Sequence, residues 1–131
     1  MKIRSYTMPV IESAAAPTFE APFMTAVGLA APSRGSTENS VWRFVLQPGN
    51  PGHAHSVSRE EIFVALSGQA SVTIDGATRE LHAGDALIVP AHTVFSISVP
   101  GNEPFEAVAI LPVGAYAQAP GGAPISPPWA Q

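Results

Sequence analysis

The sequence predicts an all-β domain, built as a sandwich or a barrel. Three observations carry this. Short runs in which apolar and polar residues alternate recur along the chain, which is the period of a strand with one buried face. Turn clusters separate these runs, and 14 Pro and 11 Gly among 131 residues leave little room for long helices. The one helical hint, Ala14-Ala15-Ala16, is too short to stand alone.

The elements follow in order. Residues 1–22 read as an N-terminal arm, because Pro9, Pro17 and Pro22 interrupt any regular element. A first strand is expected over 23–31, ended by Pro32-Ser33-Arg34-Gly35-Ser36. In the next, over 41–47, Trp42, Phe44 and Leu46 share one face and Arg43 and Gln47 the other. Pro48 to Gly52 is a turn cluster, and 56–59 reads as a loop. Residues 61–66 and 70–74 are strands, and Asp75-Gly76 marks a tight hairpin whose type I′ turn needs positive φ at both central residues. Strands over 77–82, 86–89, 93–99 and 105–111 complete a body spanning 23–112. Residues 113–131, with Gly121-Gly122, Pro124 and Pro127-Pro128, read as a Pro/Gly-rich C-terminal arm. That arm is either a frayed tail or a strap whose Trp129 packs on the body or on a partner subunit, since an indole is costly to leave in water.

Composition narrows the function classes. Charged residues make up 12 % and hydrophobic residues 46 % of the chain, which suits a compact domain. A net charge of −4 with only six scattered basic residues argues against nucleic acid. No cysteine is present, so disulfides, thiolate catalysis and thiolate metal sites are all excluded. Lys2 and Arg4 are followed by no apolar core over 5–12, and no apolar run is long enough to span a bilayer. A soluble cytoplasmic protein without membrane partners is expected.

The run His53-Ala54-His55, followed by Glu60-Glu61 and Gly68, is the most informative chemistry. Imidazoles two residues apart lie on one face of an extended strand. A carboxylate from the next strand completes a 2-His-1-carboxylate set, which leaves coordination positions open for substrate. Glu61 heads an otherwise apolar strand on the same parity as Phe63 and Ala65. Turned inward, its charge has to be neutralised by a cation or a histidinium.

These residues resemble the cupin family, whose first motif is a glycine-containing lead-in, H-x-H, three or four residues, Glu, six residues and Gly. Pro48-Gly49-Asn50-Pro51-Gly52 leads in, His53 and His55 match, and Glu61 stands six residues before Gly68. The gap from His55 to Glu61 is one residue longer than usual; Glu60 fits that gap but lies seven residues before the glycine. The strand to Gly68 is rigid and the loop before it is not, so Glu61 is preferred. Of the second motif, G-x5-P-x-G-x-x-H, Gly84 to Pro90 is present, but His92 replaces the glycine and Phe95 the last histidine.

The resemblance implies a jelly-roll β-barrel with His53, His55 and Glu61 holding a divalent transition metal: Fe, Mn, Ni, Zn or Cu. It implies a metal-dependent enzyme on a small oxygenated or aromatic molecule, of dioxygenase or isomerase/cyclase type. The rival is a non-catalytic small-molecule-binding cupin with little or no metal, for which the lost histidine speaks. Phe63, Phe95 and Ile97 are expected to line the pocket, with Arg43 either entering it to meet an anionic substrate or solvated at a sheet edge. His92 at the barrel mouth is the first candidate for general acid or base, and a local deletion would instead make it a ligand. His82 is expected at the surface and Asp85 in a turn. A homodimer is expected, because Ile62, Val64 and Leu66 make the strand headed by Glu61 apolar on both faces.

Overall fold

A computed structural model describes residues 8–131. The first seven positions of the expected N-terminal arm, and the reading of Lys2 and Arg4, lie outside the described residues. Eleven strands follow one another: β1 Thr18–Ala21, β2 Met24–Ala30, β3 Asn39–Leu46, β4 Ser56–Val57, β5 Glu61–Ser67, β6 Gln69–Ile74, β7 Ala77–His82, β8 Ala86–Val89, β9 Phe95–Ser98, β10 Phe105–Pro112 and β11 Ala117–Gln118. Short 3-10 turns occupy Ser13–Ala15, Pro32–Arg34 and Pro128–Ala130.

The strands form a jelly roll of two facing antiparallel sheets. The larger has the order β1-β2-β3-β10-β5-β8 and the smaller β7-β6-β9, with β4 and β11 as a short pair beside it. An isolated bridge between His55 and Phe95 ties the β4 segment to β9. Alternation decides which side chains enter. Trp42, Phe44 and Leu46 of β3, Phe63 and Ala65 of β5, and Phe105 and Leu111 of β10 are all buried. They meet Val72, Leu81 and Phe95 from the smaller sheet in one core. Burying each large apolar side chain contributes about 1.5–3 kcal/mol, so this inner layer supplies most of the driving force for closure.

Turn chemistry matches at the tight corners. Asp75 and Gly76 both have positive φ, 50° and 77°, as the hairpin between β6 and β7 requires. Gly68, between β5 and β6, is forced by crowding as well as by its φ of 77°. A Cβ there would lie 2.1 Å from the carbonyl oxygen of Pro104. Any side chain at 68 would push the loop into β10 out of place.

The ends bring one departure from expectation and decide one open alternative. The N-terminal arm contains a strand: β1 pairs with β2 through a two-residue turn at Pro22-Phe23, in which Phe23 takes φ 62°. Its short pattern, with Phe19 as its large apolar residue, carries little periodic signal, and the hydrogen bonding to β2 decides it. The C-terminal arm is a strap rather than a tail. Trp129 packs against Phe19 and Trp42, with ring centroids 6.4 Å away in each case. The Ser40 hydroxyl donates to the Ala130 carbonyl at 2.7 Å, and Ser33 donates to the Gln131 carbonyl at 2.7 Å.

Candidate functional site

The H-x-H segment enters the structure at the edge of the small sheet. The His55 N–H donates to the Phe95 carbonyl at 3.0 Å, and the Phe95 N–H returns the bond to the His55 carbonyl at 2.9 Å. This pairing sets position 95 directly beside the motif. The rings of His55 and Phe95 lie 4.5 Å apart by centroid, and Phe95 in turn meets Phe63 at 5.8 Å. Phe63 contacts Phe44 at 5.8 Å, so an aromatic wall runs from the histidine into the core.

His53 is exposed, and its ring centroid is 6.3 Å from that of His55. His55 Nδ1 donates to the His53 carbonyl at 2.8 Å, which leaves Nε2 as the unprotonated nitrogen of the neutral ring. Burial lowers the His55 pKa, against a smaller raising effect of that backbone bond, with the neighbouring His53 lowering it further. The ring is held neutral.

Glu61 begins β5 on its inner face and is only 3 % exposed. No hydrogen bond or ion pair to its carboxyl occurs among the described residues. Desolvation alone pushes its pKa up to about 8, because a charged carboxylate in an apolar layer loses its hydration without a compensating partner. At neutral pH it is a neutral acid, an O–H donor in an aromatic and aliphatic environment. Glu60 is exposed.

The expected metal trio does not assemble. Among the described residues, no three His, Asp or Glu side chains lie close enough to hold an ion. The donor types suit a divalent metal, but their placement does not. His53 stays at the rim, His55 is turned to a backbone carbonyl, and the Phe95 ring occupies the ground beside His55 where a further donor would stand. His92 does not repair the set. It is exposed in the turn before β9, at φ 60°, with its N–H bonded to the Val57 carbonyl at 2.7 Å.

Arg43 requires a correction. Its register partner across β10 is Val108, whereas Trp42 and Phe63 both face Ala109. Arg43 therefore lies on the outer face of the large sheet, away from Glu61. There Nη1 donates to Glu106 at 3.1 Å and Nη2 donates to the Ser13 hydroxyl at 2.7 Å. Ile97 shares the inner face of the small sheet with Val72, its partner in register. His82 and Asp85 sit together at the surface, 3.6 Å apart, with Asp85 accepting the His82 N–H at 2.9 Å.

A further opening lies elsewhere, between the free edges of the two sheets. A cleft of about 390 Å³ is lined by Val72, Ile74, Leu81 and Leu87, with Arg79 among its charged residues. Arg79 lies in an alternating run, Ala77-x-Arg79-x-Leu81, at core parity. That alternation was the available signal.

The cupin domain profile matches residues 42–111, more than half of the chain. Among curated proteins none matches. Solved structures similar to this chain include the polyketide cyclase RemF from Streptomyces resistomycificus, at 15% identity and a TM-score of 0.75, covering 83% of this chain and 82% of that one. KdgF from Halomonas sp. is similar at 19% identity and a TM-score of 0.68, over 79% of this chain and 93% of its own. Salicylate 1,2-dioxygenase from Pseudoaminobacter salicylatoxidans, solved with gentisate, aligns at 21% identity and a TM-score of 0.62, over 72% of this chain but 26% of its own. At these identities the likeness is one of fold, and function has to be argued from the site.

Proposed function

The chain belongs to the cupin family, and on that premise we propose that it is a small-molecule-binding cupin whose barrel works without a three-ligand metal centre. The observation that carries this reading is the Phe95 ring packed on His55, with His53, His55 and Glu61 left ungathered. An aromatic wall with one neutral carboxyl suits a ligand of apolar body that offers a carbonyl or hydroxyl oxygen to the Glu61 proton. Neighbours described as a polyketide cyclase and a salicylate dioxygenase support a ring-bearing, oxygenated ligand class.

A second reading is favoured by one observation, the buried Glu61 carboxyl without a partner among the described residues, which a cation would relieve. In it His53, His55 and Glu61 hold a divalent transition metal and the protein is a dioxygenase or an isomerase/cyclase. Elemental analysis of protein purified without a chelating matrix separates the two. Well below one equivalent per chain is expected, and Phe95→His should raise uptake by adding an imidazole beside His55. A full equivalent in the wild type overturns the first reading and installs the second.

The same proposal takes the chain as a homodimer. The outer face of the large sheet carries an apolar row, Val41, Ile110, Ile62 and Ile88, across four strands, with Ile88 59 % exposed. Two-fold pairing would cover it. Light scattering at micromolar concentration should return twice the chain mass, and a single-chain mass defeats the dimer.

A further inference from the structure

We propose that the cleft between β7 and β8 binds a small apolar carboxylate, with Arg79 as the group that receives the acid. The inference takes from the small-molecule reading above only that this barrel binds small molecules, and adds a second place away from Glu61, with its own ligand class.

The cleft exists because the two sheets do not close on this side. β7 is the free edge of the small sheet and β8 that of the large one. The opening is about 390 Å³, within the usual range for small-ligand sites. Its floor is the core itself: Val72 and Leu81 are each 5 % exposed, and Leu87 stands in register with Phe63, the middle of the aromatic wall. A ligand seated here touches the same hydrophobic layer that leads to His55.

Charge selects the ligand's head group. Arg79 is in register with Val72, so it leaves β7 on the face of the cleft. Among the described residues it has no ion-pair or hydrogen-bond partner. The two acids at the rim are already engaged. Glu80 is in register with Ser71 on the opposite face, accepts a hydrogen bond from Gln69, and lies 3.4 Å from His82 Nε2. Asp85 accepts the His82 N–H at 2.9 Å. The cleft therefore presents one uncommitted cation above an aliphatic floor. A guanidinium in that position pairs bidentately with a carboxylate, while Val72, Ile74, Leu81 and Leu87 take the hydrocarbon.

The test titrates octanoate and octan-1-ol at neutral pH into wild type, Arg79→Gln and Ala77→Phe, followed by methyl chemical shifts and calorimetry. Positions 77 and 79 are exposed, so both variants should keep the wild-type melting midpoint. Octanoate is expected to bind the wild type saturably, with shifts centred on Val72, Leu81 and Leu87. Arg79→Gln should weaken octanoate about tenfold, the scale of one charge-assisted bond, and octanol less than about twofold. Ala77→Phe, which fills the cleft, should weaken both. Equal affinity of octanoate for Arg79→Gln, shifts centred elsewhere, or no saturable binding overturns the assignment. One metal equivalent in the wild type defeats the broader reading instead, so the two failures are distinguishable.

Discussion

On the β1–β3 flank of the large sheet, the inner face is sealed by the chain's own C-terminal strap. Trp129 fills the space over Phe19 and Trp42, and hydroxyls of Ser33 and Ser40 hold the strap's carbonyls. On the β5–β8 flank, the same inner face carries the Glu61 carboxyl, without a partner among the described residues, meets the Phe95 ring from the facing sheet, and borders an open cleft. Neither flank is fully satisfied. Trp129 Nε1 and Arg34 Nη2 are buried on the first without acceptors among the described residues. The difference lies in what is left over. The sealed flank retains an indole N–H and one nitrogen of a guanidinium whose Nε and Nη1 are paired. The open flank retains a group whose protonation state follows its surroundings.

The comparison breaks first at Phe95. The ring is 1 % exposed and central to the open flank's packing, so Phe95→Ala should cost about 3–5 kcal/mol in urea unfolding. A loss below about 1 kcal/mol would mean that the aromatic wall contributes no packing and that the two flanks differ far more than described.

The next effect is a pH dependence. The folded state holds the Glu61 proton up to about pH 8, whereas the unfolded chain releases it near 4.5. Between these values the native state binds more protons, so stability falls as pH rises, by about 5 kcal/mol over the whole window. His55 acts in the opposite sense. Its pKa is lowered on folding from 6.5, so its contribution is lost as pH falls below that value. Denaturation midpoints measured from pH 5 to 9 should decline toward the alkaline side in the wild type and flatten in Glu61→Gln. An unchanged slope in Glu61→Gln would assign the decline to another group.

The smallest effects sharpen the sealed flank. Trp129 is partly buried, so Trp129→Ala should cost about 2–3 kcal/mol. Trp129→Phe should cost less than about 1 kcal/mol, because the indole N–H it removes has no acceptor to lose. If Trp129→Phe were as damaging as Trp129→Ala, the N–H would have a partner and the flank would be held by a polar contact instead of by packing.

Much of this was legible in the linear chain, because periodicity and turn chemistry are local. Trp42-x-Phe44-x-Leu46 marked an inner face, Asp75-Gly76 a hairpin, and His53-x-His55 with Glu61 and Gly68 the family. Parity alone put Glu61, Phe63 and Ala65 on one side of β5, and all three are buried. Arg43 shows where parity stops. The strand pattern put it opposite Trp42, but which side is the interior depends on the strands that flank it, and Glu106 lies 63 positions away in sequence. The β1 strand was hidden for a similar reason, since Thr18–Ala21 is specified by its pairing with β2 more than by its own residues.

By itself the sequence determined an all-β sandwich or barrel, which the family resemblance narrowed to a jelly roll, most of the longer strands to within a few residues, and the identity of the groups available for chemistry. Those follow from side-chain alternation, backbone restrictions at Gly and Pro, and residue type, all of which act over a few positions. Tertiary structure alone decided that the His53, His55 and Glu61 donors stay apart, that Phe95 stands beside His55, that Trp129 folds back over Trp42, and that Arg79 overlooks an open cleft. Each of these is a meeting of residues from strands or arms distant in the chain. Such meetings are set by how two twisted sheets fill one interior, which no local pattern encodes.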